Sequence, residues 1–339
     1  MNEDTVIGLD IAKQIFQVHA VDGRTGEIVR TRLRRNQVLE FFARQAPTRV
    51  ALEACGSAHW WARQLSALGH RVTLLPPRAV RPFVLRNKTD AADAQAIWTA
   101  AQQPGLKAVA IKTPQQQSIL ALHRLRSQLL KMRIMQSNAL RGLLYEFGVI
   151  LPESYRALRQ QLPARWADLE RELPAFLLES LREHWTRVGE LDTQIAALDR
   201  RLERICEHDP HCEALSAILG VGVLTATASV AAMGDPRSFR SGREFAAWLG
   251  LAPRQTGTGG RIRQLGISKR GDAYLRTLLM HAARAVIVRK PHSPWLSALL
   301  KRRPFNVAVA ALANKLARTI WAVLAHGRGY QPPTSAAVA

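Results

Sequence analysis

The chain has 339 residues, 47% of them hydrophobic, and its 48 Lys and Arg against 26 Asp and Glu give a net charge of +22. The length predicts two or three domains, each with its own core. No apolar run reaches the ~18 residues that a membrane span needs, and the N-terminus lacks a secretory layout, so we expect a cytoplasmic protein with no membrane partner. The cysteines are Cys55, Cys206 and Cys212, an odd number without C-x-x-C spacing, which indicates neither a disulfide framework nor a zinc site.

The basic charge is concentrated late in the chain. Residues 235–305 hold 15 basic and 3 acidic side chains, whereas residues 111–234 hold 15 and 14. Surfaces that serve solubility usually mix both signs, so an excess this one-sided favours a polyanionic partner. The distribution predicts binding to nucleic acid through this late part of the chain.

The first segment, residues 1–110, alternates strand-like and helix-like runs. Three β runs come first: "TVIGLD", "IFQVHAVD" and "EIVRTRLR". A helix, a strand, a helix and a strand follow in order: "QVLEFFARQ", "RVALEA", "AHWWARQLSALG" and "HRVTLLP". Three strands in a meander, followed by alternating helices and strands, predict an α/β domain with a mixed sheet. This order matches the ribonuclease H-like architecture.

Four carboxylates stand where strands end or a helix begins. Asp10 and Glu53 come at the ends of strands. Asp90 and Asp93 are spaced i, i+3 at the start of a helix, so both lie on one face. Taken singly, Asp10 could be a turn residue and Asp90 a charge at a helix N-terminus. Together the four predict a site for two Mg²⁺ or Mn²⁺ ions, which prefer oxygen ligands and assist in-line attack on phosphate.

The middle segment, residues 111–207, is predicted to be helical throughout. Apolar residues recur at steps of three or four along one stretch: Leu181, Trp185, Val188, Leu191, Ile195, Leu198, Leu202 and Ile205. This seam is typical of a coiled coil. It is equally typical of a helix packed on its own domain, because the spacing does not identify the partner. The near-zero net charge of the segment is compatible with a helical connector that contacts protein.

The last segment, residues 208–330, is predicted to be mainly helical. Its stretch "LSAILGVGVLTATASVAAMGD" places Gly220 and Gly222 between two apolar helices, which resembles a helix-hairpin-helix whose turn amides can contact a phosphate. Two glycines between helices are also compatible with an ordinary turn. Further candidate contacts to nucleic acid follow: Arg254, Arg261, Arg263, Ser268, Lys269, Arg270 and Arg276.

Several motifs resemble one transposase family in order and spacing. They are "GLDIAK", "ALEACGSAHWWA", "RNKTDAADAQAI" and "FAAWLGLAPRQTGTGGRIRQLGISKRGDAYLRTLLMHAARA". They are similar to segments of the insertion sequence 110 family, particularly its 1111 subgroup, which is related to the Piv/MooV invertases. The resemblance covers nearly the whole chain. It implies a RuvC-like domain, a coiled-coil connector and a C-terminal transposase domain. The family's Asp-Glu-Asp-Asp set maps onto Asp10, Glu53, Asp90 and Asp93.

The resemblance also implies an activity and partners. Similar proteins cut and rejoin DNA through a covalent protein–DNA intermediate and need no separate ligase. They assemble as homo-oligomers, dimers or tetramers, and take donor and target specificity from a structured guide RNA encoded in the flanks of the element. Their C-terminal domain supplies a serine as the attacking hydroxyl.

This chain departs from the family pattern at the expected nucleophile. Where the family has Ser-Gly between "GL.P" and "SK.G", this chain has Thr258 followed by a glycine, at the matching distance from Pro253. Thr256, also followed by a glycine, is a close competitor. A threonine hydroxyl can attack phosphorus, although its methyl group crowds the approach. We expect Thr258 to be the nucleophile, with a flexible glycine-rich DNA-contact loop as the alternative interpretation.

Three other functions are compatible with parts of the sequence. A Mg²⁺-dependent endonuclease of the Holliday-junction-resolvase type would use the carboxylates without a nucleophilic hydroxyl. The stretch "VIGLDIAK" also resembles the first phosphate loop of actin-like sugar kinases, but the second Asp-Gly-Gly loop does not occur in the sequence. A non-enzymatic DNA-binding protein would leave the carboxylates unexplained. A DNA transposase accounts for the carboxylates, the basic segment and the motifs together.

Overall fold

The computed structural model describes residues 5–84, 89–289 and 292–331. Residues 86–88, the "RNK" of the motif that contains Asp90, lie outside these ranges. The chain divides into two compact units, Met1–Pro114 and Gln115–Ala339. The predicted connector belongs to the second unit together with the C-terminal segment. Its separation at residue 207 as a third domain remains a prediction.

The first unit is an α/β structure around one mixed sheet. Its elements are β1 (Val6–Asp10), β2 (Ile15–Val21), β3 (Ile28–Arg34), α1 (Val38–Ala43), β4 (Arg49–Glu53), α2 (Ala58–Ala67), β5 (Arg71–Leu75), α3 (Pro77–Val80) and α4 (Asp90–Ala101). The strand order is β3-β2-β1-β4-β5; β2 is antiparallel to β1 and β3, whereas β1, β4 and β5 are parallel. The predicted mixed α/β class is confirmed, and the sheet is consistent with a ribonuclease H-like domain.

The inner strands β1 and β4 are largely buried because their residues alternate between two apolar cores, whereas the edge strand β3 is mostly exposed. Val50 and Leu52 of β4 pack with α1 and α2, whereas Ala51 packs with α3 and α4. The strand β1 is central, and every residue except the last is buried. Removal of such side chains from water is worth about 25 cal/mol per Å² of apolar surface, which stabilises the layered arrangement. The carboxyl ends of β1 and β4 therefore lie side by side at one edge of the sheet.

In the residues that the structure describes, the second unit is helical apart from one β-hairpin. Its elements are α5 (Pro114–Tyr145), α6 (Tyr155–Glu172), α7 (Ala175–Glu207), α8 (Pro210–Ser216), α9 (Val223–Met233), α10 (Gly242–Trp248), β6 (Pro253–Thr258), β7 (Arg261–Ile267), α11 (Ala273–Val288), α12 (Pro294–Arg302) and α13 (Phe305–His326). Many of the helices begin at an N-cap whose side chain accepts a hydrogen bond from a first-turn amide, as at Ser154, Ser241 and Asp272. The sequence analysis predicted the helices but not the hairpin.

The long apolar seam of α7 is buried by its own chain. Leu181 and Leu202 lie in apolar clusters that include residues of α5. Arg133 Nη1 of α5 pairs with Asp192 Oδ1 of α7 at 2.9 Å, which joins the two helices further. The interpretation of α7 as a helix packed on its own domain therefore accounts for the seam without a second chain.

The helix α13 is the one helix in the described part of the chain that is long and apolar enough to cross a membrane. Its apolar face is used inside the second unit, where Leu312, Leu316 and Ile320 share a core cluster with residues of α9 and α11. Its exposed face carries Lys315 and Arg318. This two-sided pattern is that of a core helix with one solvent-facing side.

Candidate active site

Asp10 ends the central strand of the first unit. It lies at the carboxyl end of β1, where its side chain is half-buried. The parallel register pairs Leu9 with Leu52, so Glu53 stands beside Asp10 at the same edge of the sheet. The carboxyl ends of parallel strands are the usual place for ligand sites in open α/β sheets. Asp10 ends an otherwise apolar strand and therefore lies at the edge of the sheet where such sites are commonly found.

The other two carboxylates are placed by the start of α4. Thr89 is the N-cap, and its hydroxyl accepts a hydrogen bond from the Ala92 amide at 3.2 Å. Asp90 and Asp93 follow in the first turn, where a negative charge also interacts favourably with the helix dipole. Their spacing puts both carboxylates on one face of α4.

A glycine in β1 allows α4 to pack closely on the strand. A Cβ atom on Gly8 would lie 2.3 Å from the carbonyl oxygen of Ala94 and 2.7 Å from the amide nitrogen of Trp98. Any larger residue would push the helix away from the strand. The sequence analysis did not identify Gly8 as a site-forming residue, although a glycine inside a buried strand indicates a close approach of another backbone.

Three of the four predicted carboxylates form a cluster. One oxygen from each of Asp10, Asp90 and Asp93 lies within 4.8 Å of the others. Two full negative charges at that separation repel each other by about 1 kcal/mol even in water, and by more where they are partly buried. A hard divalent cation offsets this repulsion, and carboxylate oxygens are the ligands that Mg²⁺ prefers. The donor set therefore fits the predicted ions.

Glu53 lies beside this cluster and shares a neighbour with it. Partial burial raises the pKa of the Cys55 thiol, and the negative charges of Glu53 and Asp10 raise it further. The thiol is therefore neutral at physiological pH and is a poor nucleophile. The position of Cys55, two residues after Glu53, was the sequence signal that could have connected it with the site.

The two candidate nucleophiles lie on an exposed hairpin of the second unit. The strands β6 and β7 pair antiparallel, with Thr256 opposite Arg263 and Thr258 opposite Arg261. Residues that are opposite each other in such a pair, or two apart on one strand, share a face. Both threonine hydroxyls therefore lie on one face of the hairpin together with two guanidinium groups.

Backbone conformation and lack of space explain the glycines of the hairpin. Gly259 and Gly260 have φ values of +56° and +78°, and a two-residue type I′ turn needs positive φ at both positions. A Cβ atom on Gly257 would lie 2.3 Å from the carbonyl oxygen of Arg261 on the partner strand. The glycine-rich run is a paired hairpin rather than a loop, and its contact with DNA stays a prediction.

Two further glycines allow the segments at the base of the hairpin to cross. A Cβ atom on Gly250 would lie 2.1 Å from the carbonyl oxygen of Arg270. A Cβ atom on Gly271 would lie 1.7 Å from the carbonyl oxygen of Trp248. The "GL.P" and "SK.G" motifs are therefore packed backbone against backbone, which explains their glycines by steric fit.

The predicted phosphate contacts differ in their surroundings. Five are exposed on the hairpin or at its base: Arg254, Arg261, Arg263, Lys269 and Arg270. Ser268 is half-buried, and its amide donates to the carbonyl oxygen of Ala252 at 2.9 Å. Arg276 Nη1 donates to the carbonyl oxygen of Leu249 at 2.8 Å. Arg276 thus holds the base of the hairpin on α11, which limits what it can offer to a phosphate.

The predicted helix-hairpin-helix corresponds to α8, α9 and the turn between them. Gly220 has φ +90°, and a Cβ atom there would lie 2.5 Å from Cγ2 of Val286. Packing against α11 therefore requires this glycine. Gly222 is the N-cap of α9, and within the described ranges no atom lies near the position of a Cβ there. Phosphate contact at Gly222 stays a prediction.

Two family profiles match the chain. One, of the DEDD type and described as a transposase, matches residues 7–148, and the other, described as "Transposase IS116/IS110/IS902 family", matches residues 212–300. The first match spans the mixed sheet with its carboxylates, and the second spans the hairpin. The chain is thus a transposase with a DEDD-type domain, an enzyme that cuts and rejoins DNA. More specifically, it belongs to the IS110 family.

Relatives of nearly equal length support this assignment. A probable family 20 transposase of Pseudomonas aeruginosa is 47% identical over 96% of this chain and 98% of the relative. The transposase for insertion sequence element IS1328 of Yersinia enterocolitica is 38% identical over 95% and 97%. The transposase for insertion sequence element IS1111A of Coxiella burnetii is 36% identical over 98% and 92%. The resemblance that the motifs carried is confirmed.

Proposed function

We propose that this transposase is a divalent-metal-dependent recombinase, with Asp10, Glu53, Asp90 and Asp93 as ligands of two Mg²⁺ or Mn²⁺ ions. The proposal is carried by the cluster of three aspartates at the carboxyl edge of the sheet, with Glu53 on the next strand. Such ions activate an attacking hydroxyl and stabilise a leaving oxygen. The task of the carboxylates is to hold that charge at one edge of the sheet.

We assign the attack on DNA to Thr258, with Thr256 as the second candidate. The threonine hydroxyl loses its proton and its oxygen forms a bond to phosphorus, while the bond from phosphorus to a deoxyribose oxygen breaks and that oxygen takes up a proton. The number of phosphodiester bonds does not change. Attack by a DNA hydroxyl in the reverse direction therefore rejoins strands without a ligase. Arg261 and Arg263 share the face of the threonines and would offset the charge that builds on the phosphate oxygens.

The proposed nucleic-acid partners are donor DNA, target DNA and a structured guide RNA. Support for DNA contact comes from the hairpin, because a two-stranded ribbon fits the major groove and this ribbon is exposed along its length. Support for the guide RNA comes from the resemblance of the motifs to the family. We expect the protein to act on DNA in the cytoplasm.

We further propose that the protein works as a homo-oligomer, a dimer or tetramer, through α5. Four apolar side chains lie within one arc of this helix and are 36–62% exposed: Leu125, Met132, Met135 and Leu143. An exposed apolar face of this kind marks a contact with protein. A single-chain mass in light scattering at micromolar concentration would contradict this part of the proposal.

The carboxylate assignment is tested by cleavage of a supercoiled plasmid that carries the element with its flanking DNA. We expect Mg²⁺ or Mn²⁺ to be required, EDTA to stop cleavage, and Asp10→Ala or Asp93→Ala to abolish it, because removal of one ligand leaves the cations undercharged. Circular dichroism should show that both variants stay folded.

Asp168→Ala is the matched control for this experiment. Asp168 is a half-exposed aspartate of α6 that pairs with Arg165 and Arg171. We expect the control to cleave as the parent protein does. Full activity of Asp10→Ala and Asp93→Ala in EDTA would refute the metal assignment. Cleavage without any protein–DNA adduct would favour an endonuclease of the resolvase type.

A further inference from the structure

A groove of about 950 Å³ lies on the second unit, and its described lining includes no residue of the β6–β7 hairpin. Its walls are the start of α10, the start of α12, the second half of α13 and the residues that follow α13. None of the sequence motifs covers the α13 wall. The groove is open along one side, so it can admit a chain as well as a small molecule.

The charge of this groove is entirely positive. Four cationic side chains line it: Arg243, Lys315, Arg318 and Arg328. No Asp or Glu is found among the lining residues that the structure describes. All four cations are exposed, and within the ranges 5–84, 89–289 and 292–331 none of them forms an ion pair. The groove therefore offers unneutralised charge to an anion.

The fold fixes the walls of the groove. A Cβ atom on Gly242 would lie 3.0 Å from the Cα atom and the carbonyl oxygen of Arg318, so the start of α10 packs directly on α13. Trp321 Nε1 donates to the carbonyl oxygen of Pro236 at 3.0 Å, which holds the segment before α10 on the same helix. Lys315 and Arg318 are three residues apart on α13 and project from one face.

Aromatic rings alternate with the cations in the groove. Trp295 is 37% exposed, and Lys315 Nζ lies 4.4 Å from the centroid of its ring. Trp321 and His326 form an edge-to-face pair with centroids 5.5 Å apart, and Tyr330 lines the same groove. Basic side chains with interleaved aromatic rings are the pattern by which proteins hold single strands, phosphates on the cations and bases on the rings.

We propose that this groove binds a single-stranded segment of nucleic acid. The phosphates contact Arg243, Lys315, Arg318 and Arg328, and a base stacks on Trp295. A duplex fits less well, because its bases are stacked on one another and cannot reach an indole ring. The inference rests on the proposed function only in that the transposase handles nucleic acid. Unpaired DNA and an unpaired stretch of guide RNA offer the same chemistry.

The test compares affinities of the full chain for oligothymidylate, oligouridylate and a duplex of equal length over a range of salt. For Lys315→Ala/Arg318→Ala we expect the negative slope of log affinity against log salt on single strands to become shallower by about 1.4. This is about 0.7 for each phosphate that is no longer neutralised. The matched control is Arg156→Ala/Arg200→Ala, which removes the same charge from exposed positions of α6 and α7. We expect the control to change the slope by less than half as much.

Trp295 provides a test that charge alone cannot mimic. We expect Trp295→Leu to weaken single-strand binding about 5- to 150-fold and to leave duplex binding unchanged, whereas Trp295→Phe keeps most of the affinity. The phenylalanine variant also separates loss of stacking from loss of folding. Photocrosslinking of 4-thiothymidine and 4-thiouridine strands, followed by peptide mapping, should place adducts on Trp295 or Tyr330.

The two arms of the test identify the source of the strand. A larger loss on oligothymidylate assigns the groove to unpaired DNA, and a larger loss on oligouridylate assigns it to RNA. Equal behaviour of the groove variant and its control on both strands, or a greater loss on the duplex, would overturn the proposal. These experiments measure binding and not cleavage. Their outcome is therefore independent of the cleavage test that compares the parent protein with Asp10→Ala.

Discussion

The hydroxyls of Thr256 and Thr258 share one face of the exposed hairpin, so the face on which they lie does not identify the nucleophile. Their distance from the turn does. Thr258 immediately precedes the turn glycines and pairs with Arg261, whereas Thr256 lies two pairs further towards the base. We expect the tip of the ribbon to reach furthest towards a bound duplex. This geometry agrees with the spacing to Pro253 in favouring Thr258.

We predict that Thr258→Ser will speed strand exchange, by up to about tenfold, because the crowding methyl is removed and the hydroxyl is kept. Thr258→Ala should stop exchange without weakening DNA binding, and Thr256→Ala is the matched control on the same face. Trapping the intermediate, digesting it and mapping the DNA-linked peptide by mass spectrometry gives the site. An adduct on Thr256 or Ser268 would contradict the assignment.

His123 of α5 lies at the centre of the second unit, where it joins three helices. Its Nε2 is 3.0 Å from Thr227 Oγ1 and its Nδ1 is 3.0 Å from the Tyr274 hydroxyl. The Thr227 hydroxyl donates to the carbonyl oxygen of Val223, so it accepts from Nε2–H, and Nδ1 then accepts from Tyr274. With a neutral His123, both ring nitrogens and the hydroxyls of Thr227 and Tyr274 each have a hydrogen-bond partner. Burial first, and the charge of Arg126 second, lower the pKa of His123 to about 4.

This pKa predicts a loss of stability in acid. In the unfolded chain His123 takes up a proton near pH 6.5, and in the folded chain near pH 4, so the unfolded state binds more protons between these values. The contribution of neutral His123 to the free energy of unfolding is complete above pH 6.5. It falls by about 3 kcal/mol as the pH drops to about 4. Urea unfolding of the His123→Gln variant should show a flatter pH dependence over this window. His211→Gln, at an exposed position, should not; equal slopes for both variants would contradict the prediction.

The packing of α4 on β1 is the element-scale event that forms the carboxylate cluster. Asp10 belongs to the strand, whereas Asp90 and Asp93 belong to the helix. Their oxygens meet only because the two backbones approach over Gly8. A helix placed one methyl group further out would separate two ligands from the third.

We predict that Gly8→Ala will damage both stability and metal binding. In an unobstructed strand alanine would be favoured by about 0.5–1 kcal/mol. Here the added methyl collides with α4, so we expect the free energy of unfolding to fall by about 1–3 kcal/mol and Mn²⁺ affinity, measured by calorimetry, to drop. The control is Gly56→Ala, where a Cβ atom meets no described atom within 4 Å. Unchanged Mn²⁺ affinity in Gly8→Ala would show that the cluster does not depend on this approach.

The whole molecule carries its charge unevenly, and the structure shows where the excess lies. Arg254, Arg261 and Arg263 stand on a hairpin whose side chains are exposed, a form that has little stability of its own. The groove on α10, α12 and α13 collects a second set of cations. Two basic surfaces on one unit agree with the proposal that this transposase binds more than one nucleic-acid segment.

We predict that the hairpin supplies a measurable share of duplex affinity. Replacing Arg254, Arg261 and Arg263 by alanine should lower the slope of log affinity against log salt on duplex DNA by about 0.9 for each phosphate that these arginines neutralise, so by up to about 2.7. Filter binding across a salt series measures this slope. The control replaces three exposed residues of helices α5, α6 and α7 by alanine, which removes the same charge outside the hairpin: Lys131, Arg156 and Arg200. A slope that falls equally in both proteins would argue against hairpin contacts.

Local patterns were sufficient to predict much of the first unit. Strands alternate with a period of two and helices with 3.6, so β1 to β5 and the start of α4 could be recognised without a partner in view. The spacing of Asp90 and Asp93 fixed their common face for the same reason. Composition alone predicted a nucleic-acid partner, because net charge does not depend on how the chain folds.

The remaining features depend on contacts between residues far apart in sequence, which no local pattern contains. The seam of α7 was ambiguous until its partner was known to be the same chain. The glycine-rich run after Pro253 became a hairpin only through pairing with β7, and Gly8 gained its role only from the approach of α4. The groove on α13 combines three helices whose cations are ordinary surface residues in sequence. Such sites are decided by tertiary packing, because distance and burial, which set the strength of every charge and contact, exist only in the folded chain.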